Sequence, residues 1–108
     1  MGSFKVIISP KALTQLEEYI DYIQYTLMNE PASKNVWNDA IETAEKLETV
    51  AGSLHLCRNH KLQNLGYHPM LFLHHDYVML YRIEKNVAYV EAIYHLLQDY
   101  ENLFMNDI

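Results

Sequence analysis

The stretch that decides the fold is MLFLHHDYVMLYRIEKNVAYVEAIY, Met70 to Tyr94. β-branched and aromatic residues dominate it. It reads as three strands, Met70–His74, Tyr77–Ile83 and Val87–Tyr94, with turns near His75–Asp76 and Glu84–Asn86. Turns this short join antiparallel neighbours. The middle strand is apolar on both parities except at Arg82. That pattern marks a central strand, with Arg82 aimed away from the main core.

Upstream, FKVIIS (Phe4–Ser9) is a fourth short strand. Ser9 followed by Pro10 supplies a capping oxygen and a proline suited to a first helical turn. Leu13, Leu16, Ile20, Ile23 and Leu27 then recur at helical spacing, with Glu17, Glu18 and Asp21 mostly off that stripe. Pro31 is expected to end this helix. A second helix follows from Ala32, with Trp37, Ala40, Ile41, Ala44 and Leu47 as its stripe and Gly52 at its stop. The two make a helical hairpin. Leu54–Cys57 has room for a short fifth strand, and HLLQDYENLF, His95–Phe104, reads as a closing helix. The expected fold class is α+β in a single domain, residues 1–108. An N-terminal strand and a helical hairpin pack on a mainly antiparallel, twisted sheet of four or five strands, followed by a short C-terminal helix.

Composition narrows the function. The 108 residues carry 8 Lys and Arg against 14 Asp and Glu, a net charge of −6. A broad nucleic-acid surface needs the reverse balance. Half the residues are apolar, yet no apolar run approaches the roughly 20 residues of a membrane span. The opening MGSFKVIISP lacks the long apolar segment of a secretory signal, and the single Cys57 has no internal disulfide partner. A cytoplasmic protein is expected. His74 and His75 would point opposite ways in a strand, and His55, Cys57 and His60 lack C-x-x-C or H-E-x-x-H spacing. No metal and no cofactor are expected.

Two segments then carry a resemblance. VIISPKALTQLEEYIDYI is similar to the opening strand, Ser-Pro-x-Ala and acidic first helix of the RelE/ParE superfamily of bacterial type II toxins. LGYHPMLFLHHDYVMLYRIEKNVAYVEAIYHLLQDYENLF resembles its later strands and its closing His-x-x-x-Asp-Tyr-Glu segment. The resemblance spans nearly the whole chain. It implies a toxin held silent by a cognate antitoxin. Two activities share this fold: RelE-like members cut mRNA on the ribosome, and ParE-like members block DNA gyrase without cleaving RNA. Fold does not choose between them.

RNA cleavage by an adjacent 2′-hydroxyl needs a base, an acid and cations for the charged transition state. The family's Gly-Tyr-Arg stands here as Gly66-Tyr67-His68, and Leu97 and Gln98 occupy places where basic residues often stand. The resemblance leaves His95, His68 and Arg82 as catalytic candidates, with Arg58, Lys61 and Tyr94 as target-binding candidates. If the protein is an enzyme, it is an mRNA endoribonuclease. Each position also has a plain structural reading: an edge histidine, a carboxylate-paired arginine, a helix-terminal histidine, a packed tyrosine. Asp99, four residues after His95, either orients that imidazole or holds the terminal helix; the latter is favoured. Tyr77, Tyr81 and Tyr89 are expected to pack, and Tyr94 to reach the open face.

The acidic balance and the missing arginines favour the gyrase-directed reading over ribosome-dependent cleavage. A degenerate module that only binds an antitoxin or dimerises is the third reading. Tyr19, Tyr22 and Tyr25, partly off the core stripe, are the antitoxin-binding candidates, and a homodimer is a further possible assembly. An acidic toxin implies a weakly charged or locally basic partner arm.

Overall fold

The computed structural model describes residues 3–108. Its element order is β1 (Lys5–Ile8), α1 (Pro10–Asp21), α2 (Glu30–Val50), α3 (His60–Asn64), β2 (Tyr67–Leu71), β3 (Tyr77–Glu84), β4 (Val87–His95) and α4 (Tyr100–Asp107). The sheet runs β1-β4-β3-β2. β2, β3 and β4 are antiparallel, whereas β1 lies parallel to β4.

Ser9 launches the hairpin. Its hydroxyl accepts from Ala12 N–H at 3.0 Å and donates to the Glu91 carbonyl at 3.1 Å, so the helix cap is also tied to β4. After α1 the chain widens into one π-helical turn, Tyr22–Thr26, then reverses through Leu27, Met28 and Asn29. Met28 takes a left-handed φ of 54° there. The Asn29 side chain caps α2 by accepting from Ala32 N–H at 3.1 Å. Pro31 therefore sits in the first turn of α2 and does not end α1. Its missing N–H costs nothing at that position.

α2 is rotated from the stripe expected of it. Val36, Asp39, Ala40, Thr43 and Leu47 are buried, while Trp37 and Ile41 are 41% and 46% exposed. Two polar residues, Asp39 and Thr43, face inward because they have partners there. Thr43 Oγ1 accepts from Leu73 N–H at 3.1 Å, and the Asp39 carboxylate accepts from His74 N–H at 3.0 Å. These bonds pull Leu73 and His74 out of the ladder onto α2. Hence β2 is Tyr67–Leu71 and not Met70–His74. It starts as Gly66, at φ 85°, turns the chain out of α3. β2 is an edge strand, which tolerates Pro69. Leu54–Cys57 is not a strand; Cys57 N–H makes one bond to the Tyr67 carbonyl at 2.9 Å.

Two cores result, one on each face of the sheet. Leu16, Val36, Leu47, Met79, Tyr81 and Ile93 fill the one under the hairpin. Cys57, Leu62, Val78, Leu80, Tyr94 and Phe104 fill the other, under α3 and α4. The Phe104 ring is buried and meets Tyr67 edge-on at 4.9 Å. Burying such a ring stabilises by about 1.5–3 kcal/mol, enough to dock the short α4. Burial also pushes the Cys57 thiol up to about 12.

Candidate functional site

The sheet sorts the candidate residues onto opposite faces. Tyr67 stands opposite Arg82, and His68 stands opposite Tyr81. Neighbouring strand positions point opposite ways. Arg82 thus lies on the α4 face, away from the main core as its parity implied, and His68 lies on the hairpin face.

On the α4 face Arg82 is paired with two carboxylates. Its Nε donates to the Glu91 carboxylate, and its Nη1 lies 3.3 Å from Glu84 Oε2. The guanidinium also rests over the Tyr89 ring, 4.6 Å from its centre. A β-bulge aims Glu91. Leu80 pairs with Ala92 but Tyr81 pairs with Val90, so Glu91 is the extra residue. Tyr67 donates its hydroxyl to the same carboxylate at 3.2 Å. The hydrogen bond to Glu91 holds the Arg82 proton more tightly than usual, while burial, ahead of the Glu91 charge, raises the Tyr67 phenol. A phosphate approaching Arg82 meets two carboxylates already in place.

His68 is held differently. Its Nδ1 lies 3.0 Å from the Leu54 carbonyl and 3.1 Å from the His55 carbonyl, so that nitrogen carries the proton. The ring stacks on Tyr81 at 5.0 Å and 16°. It pins the Leu54–Cys57 segment to the sheet edge. His95 is opposite Tyr77, at the other end of β3. Tyr77 and Tyr81 are four residues apart, about 13 Å at roughly 3.3 Å per residue. His95, His68 and Arg82 are therefore not brought together. Tyr94 does not reach an open face either: it is 6% exposed, inside the α4-side core. Arg58 and Lys61 are exposed. The backbone N–H groups of Arg58 and Asn59 are gripped by Glu101, at 3.2 and 2.6 Å. Asp99 sits at the N-cap of α4 and accepts from Asn102 at 2.7 Å. It makes no bond to His95, which ends β4 and does not begin a helix.

A cleft of 540 Å³ opens on the hairpin face, between the π-helical turn, the start of α2 and the β2–β3 turn. Tyr19 and Tyr77 meet at 5.2 Å, and Tyr77 and His95 at 5.0 Å, edge to face. The Tyr19 hydroxyl donates to Gln98 Oε1 at 2.7 Å, and Gln98 Oε1 also accepts from His95 N–H at 3.0 Å. Burial raises the Tyr19 phenol. His75 Nδ1 lies 2.6 Å from Asp39 Oδ2, and that carboxylate is 1% exposed. Of the tyrosines expected to be free, Tyr22 and Tyr25 are 55% and 67% exposed, while Tyr19 is committed to these contacts.

Asp39, His75, Gln98 and Glu91 were not picked out from sequence. Asp39 leaves a trace, as an acid at buried helical spacing between Val36 and Leu47. Glu91 leaves one too, as the lone acid in an apolar strand. Among the described residues, no group of three or more His, Cys, Asp or Glu side chains is placed to hold a metal, and no helix is long and apolar enough to cross a membrane.

Residues 6–100 match the family model for the ParE toxin of type II toxin–antitoxin systems, parDE. The chain belongs to the ParE toxin family. Among solved structures, the chromosomal ParDE TA system from P. aeruginosa matches with a TM-score of 0.71 at 15% identity, over 87% of this chain and 97% of that one. At that identity the likeness is one of fold, and the fold is the ParE-like α+β arrangement derived above. No curated protein sequence matches this chain. As a ParE-family member the chain is a type II toxin component, and the RelE/ParE resemblance of its sequence holds at the level of the superfamily.

Proposed function

We propose that this toxin arrests growth by inhibiting DNA gyrase without cleaving RNA, and that a cognate antitoxin neutralises it. The observation that carries the reading is the closed state of Arg82. A ribonuclease needs a cation free to meet the scissile phosphate, and a base and an acid within about 3 Å of the reacting oxygens. Arg82 is engaged by Glu91 and Glu84. His68 is on the other face, and His95 is at the far end of the strand. The reduced ribonuclease set of Arg58, Lys61, His68, Arg82 and His95 has no common centre. The net charge of −6 also opposes entry between RNA walls.

The antitoxin reading rests on the hairpin tip. Tyr22, Tyr25, Leu27 and Met28 are each more than half exposed and fall in one short segment, residues 22–28. Apolar aromatic surface of this kind suits a partner's arm or amphipathic helix. The matched P. aeruginosa chain comes from a ParDE pair. The test is purified toxin added to gyrase and relaxed plasmid, with a parallel arm containing ribosomes and a defined mRNA. Supercoiling should fall as toxin rises, and the added antitoxin should restore it. Cleaved mRNA with normal supercoiling would overturn the reading. Absence of any arrest on expression would instead mark a module that binds an antitoxin and has lost its toxicity.

A further inference from the structure

We infer that the hairpin-face cleft is an anchor pocket for one aromatic side chain with a hydrogen-bonding edge, Trp or Tyr, carried on a basic partner segment. This rests on the antitoxin reading and names the chemistry of its contact.

The shape comes first. At 540 Å³ the cleft falls in the range of sites that enclose a compact ring, about 300–1,000 Å³. Ile23, Leu27 and Val36 give it apolar walls, and Tyr19 and Tyr77 give it aromatic ones. An entering ring would stack or meet these edge to face.

The polar groups come next. Leu97 N–H donates to His95 Nδ1 at 3.0 Å. The neutral ring must then hold its proton at Nε2, as a donor. His75 is fixed the opposite way. A carboxylate only accepts, so Nδ1 carries the proton toward Asp39, and Nε2 is left as an acceptor. The cleft therefore presents one imidazole donor and one imidazole acceptor, each set by its own neighbour. Gln98 Oε1 is spent on two donors, which leaves its NH₂ as a second donor. An indole N–H suits His75, and a phenol oxygen suits His95.

Charge selects the segment that carries the ring. No Lys or Arg lines the cleft, so a phosphate-bearing ligand finds no counterion there. Asp76 does line it, Asp21 directly precedes Tyr22, and the Glu18 charge adds to the rise of the Tyr19 phenol. Basic residues flanking the anchor meet these acids. Tyr22 and Leu27, which line the cleft, are more than half exposed, and the exposed Met28 follows Leu27 in the chain, so apolar surface runs on from the cleft along the hairpin turn, as a chain needs and a free small molecule does not.

The test is two-dimensional NMR of the imidazole resonances of His75 and His95 in the whole protein. The probes are acetyl-KSWSK-amide, acetyl-ESWSE-amide and acetyl-KSASK-amide. Both histidines should shift with the first peptide, at least tenfold more weakly with the second, and not with the third. Ala32→Phe, which fills the cleft from the start of α2, should weaken the first response at least tenfold. Trp37→Ala, on another face of α2, should leave it unchanged. Equal response to all three peptides, or none to the first, overturns the inference. So does a shift that appears on concentrating the protein alone, which would make a second copy the occupant. So does one produced by adenosine and not by the first peptide, which would make it a small-molecule site. None of these readouts depends on growth arrest. A non-toxic protein that still binds the first peptide would sink the toxin reading and keep the pocket.

Discussion

The two faces of one sheet hold their polar groups in opposite states. On the α4 face the strand groups are committed: Arg82 to Glu91 and Glu84, and Tyr67 to Glu91. On the hairpin face, His75 and His95 each have one nitrogen fixed and the other left over beside a cleft. Of the catalytic candidates only Arg82 is on the first face, and the uncommitted chemistry is on the second. A side chain's type says what it can do; its neighbours decide whether it is free to do it.

The sharpest way to break this comparison is Asp39→Ala. The change strips the partner from His74 N–H and His75 Nδ1 and leaves them at a buried helix face. A loss of about 2–3 kcal/mol is expected from the orphaned donors, read as a shift in the urea midpoint. Mutation of the half-buried partner, His75→Ala, should cost clearly less. Equal costs would mean that Asp39 acts only through His75.

Cys57 tests the closed side by pH. Its thiol is pushed up to about 12 by burial, from an ordinary 9.0. Between those values the unfolded chain releases its proton and the folded chain does not. The folded state then binds more protons, so stability must fall as pH rises through that window. Cys57→Ala should flatten that part of the alkaline melting profile. In the native protein at pH 8 the thiol should resist alkylation until denaturant is added.

Arg82→Met should have a modest effect. The ion pairs are about one-third exposed on the arginine side, so screening limits the loss to about 1 kcal/mol. Growth arrest should persist. Smallest of all is Tyr25→Ser: a 67% exposed residue should change stability by less than about 0.5 kcal/mol. Its effect should appear as weaker antitoxin binding by titration calorimetry. Unchanged affinity would remove the hairpin tip from the interface.

Much of the fold is legible in the sequence. Ser9 and Pro10 announced α1, β3 declared itself central, and the lone charge of β3 gave the direction of Arg82. The rest depended on contacts between distant segments, which local pattern does not encode. Trp37 and Ile41 looked like core because they are large and apolar, but the inward places went to Asp39 and Thr43, which bind Leu73 and His74 thirty or more residues away. The same bonds shifted β2. The bulge that turns Glu91 onto Arg82 leaves no mark beyond one acid in an apolar strand. Likewise, the parallel pairing of β1 with β4 joins the two ends of the domain. The candidate site was legible as residue types and not as a constellation, because sheet parity and strand length separate His68, Arg82 and His95.

The most direct test of the closed α4 face is genome-wide mapping of mRNA 5′ ends after brief induction of the wild type and of Arg82→Ala. No new codon-phased ends should appear in either strain, with arrest and loss of plasmid supercoiling in both. New ends in the wild type that vanish in Arg82→Ala would show that the arginine leaves its carboxylates to meet a phosphate, and would contradict the closed state of Arg82.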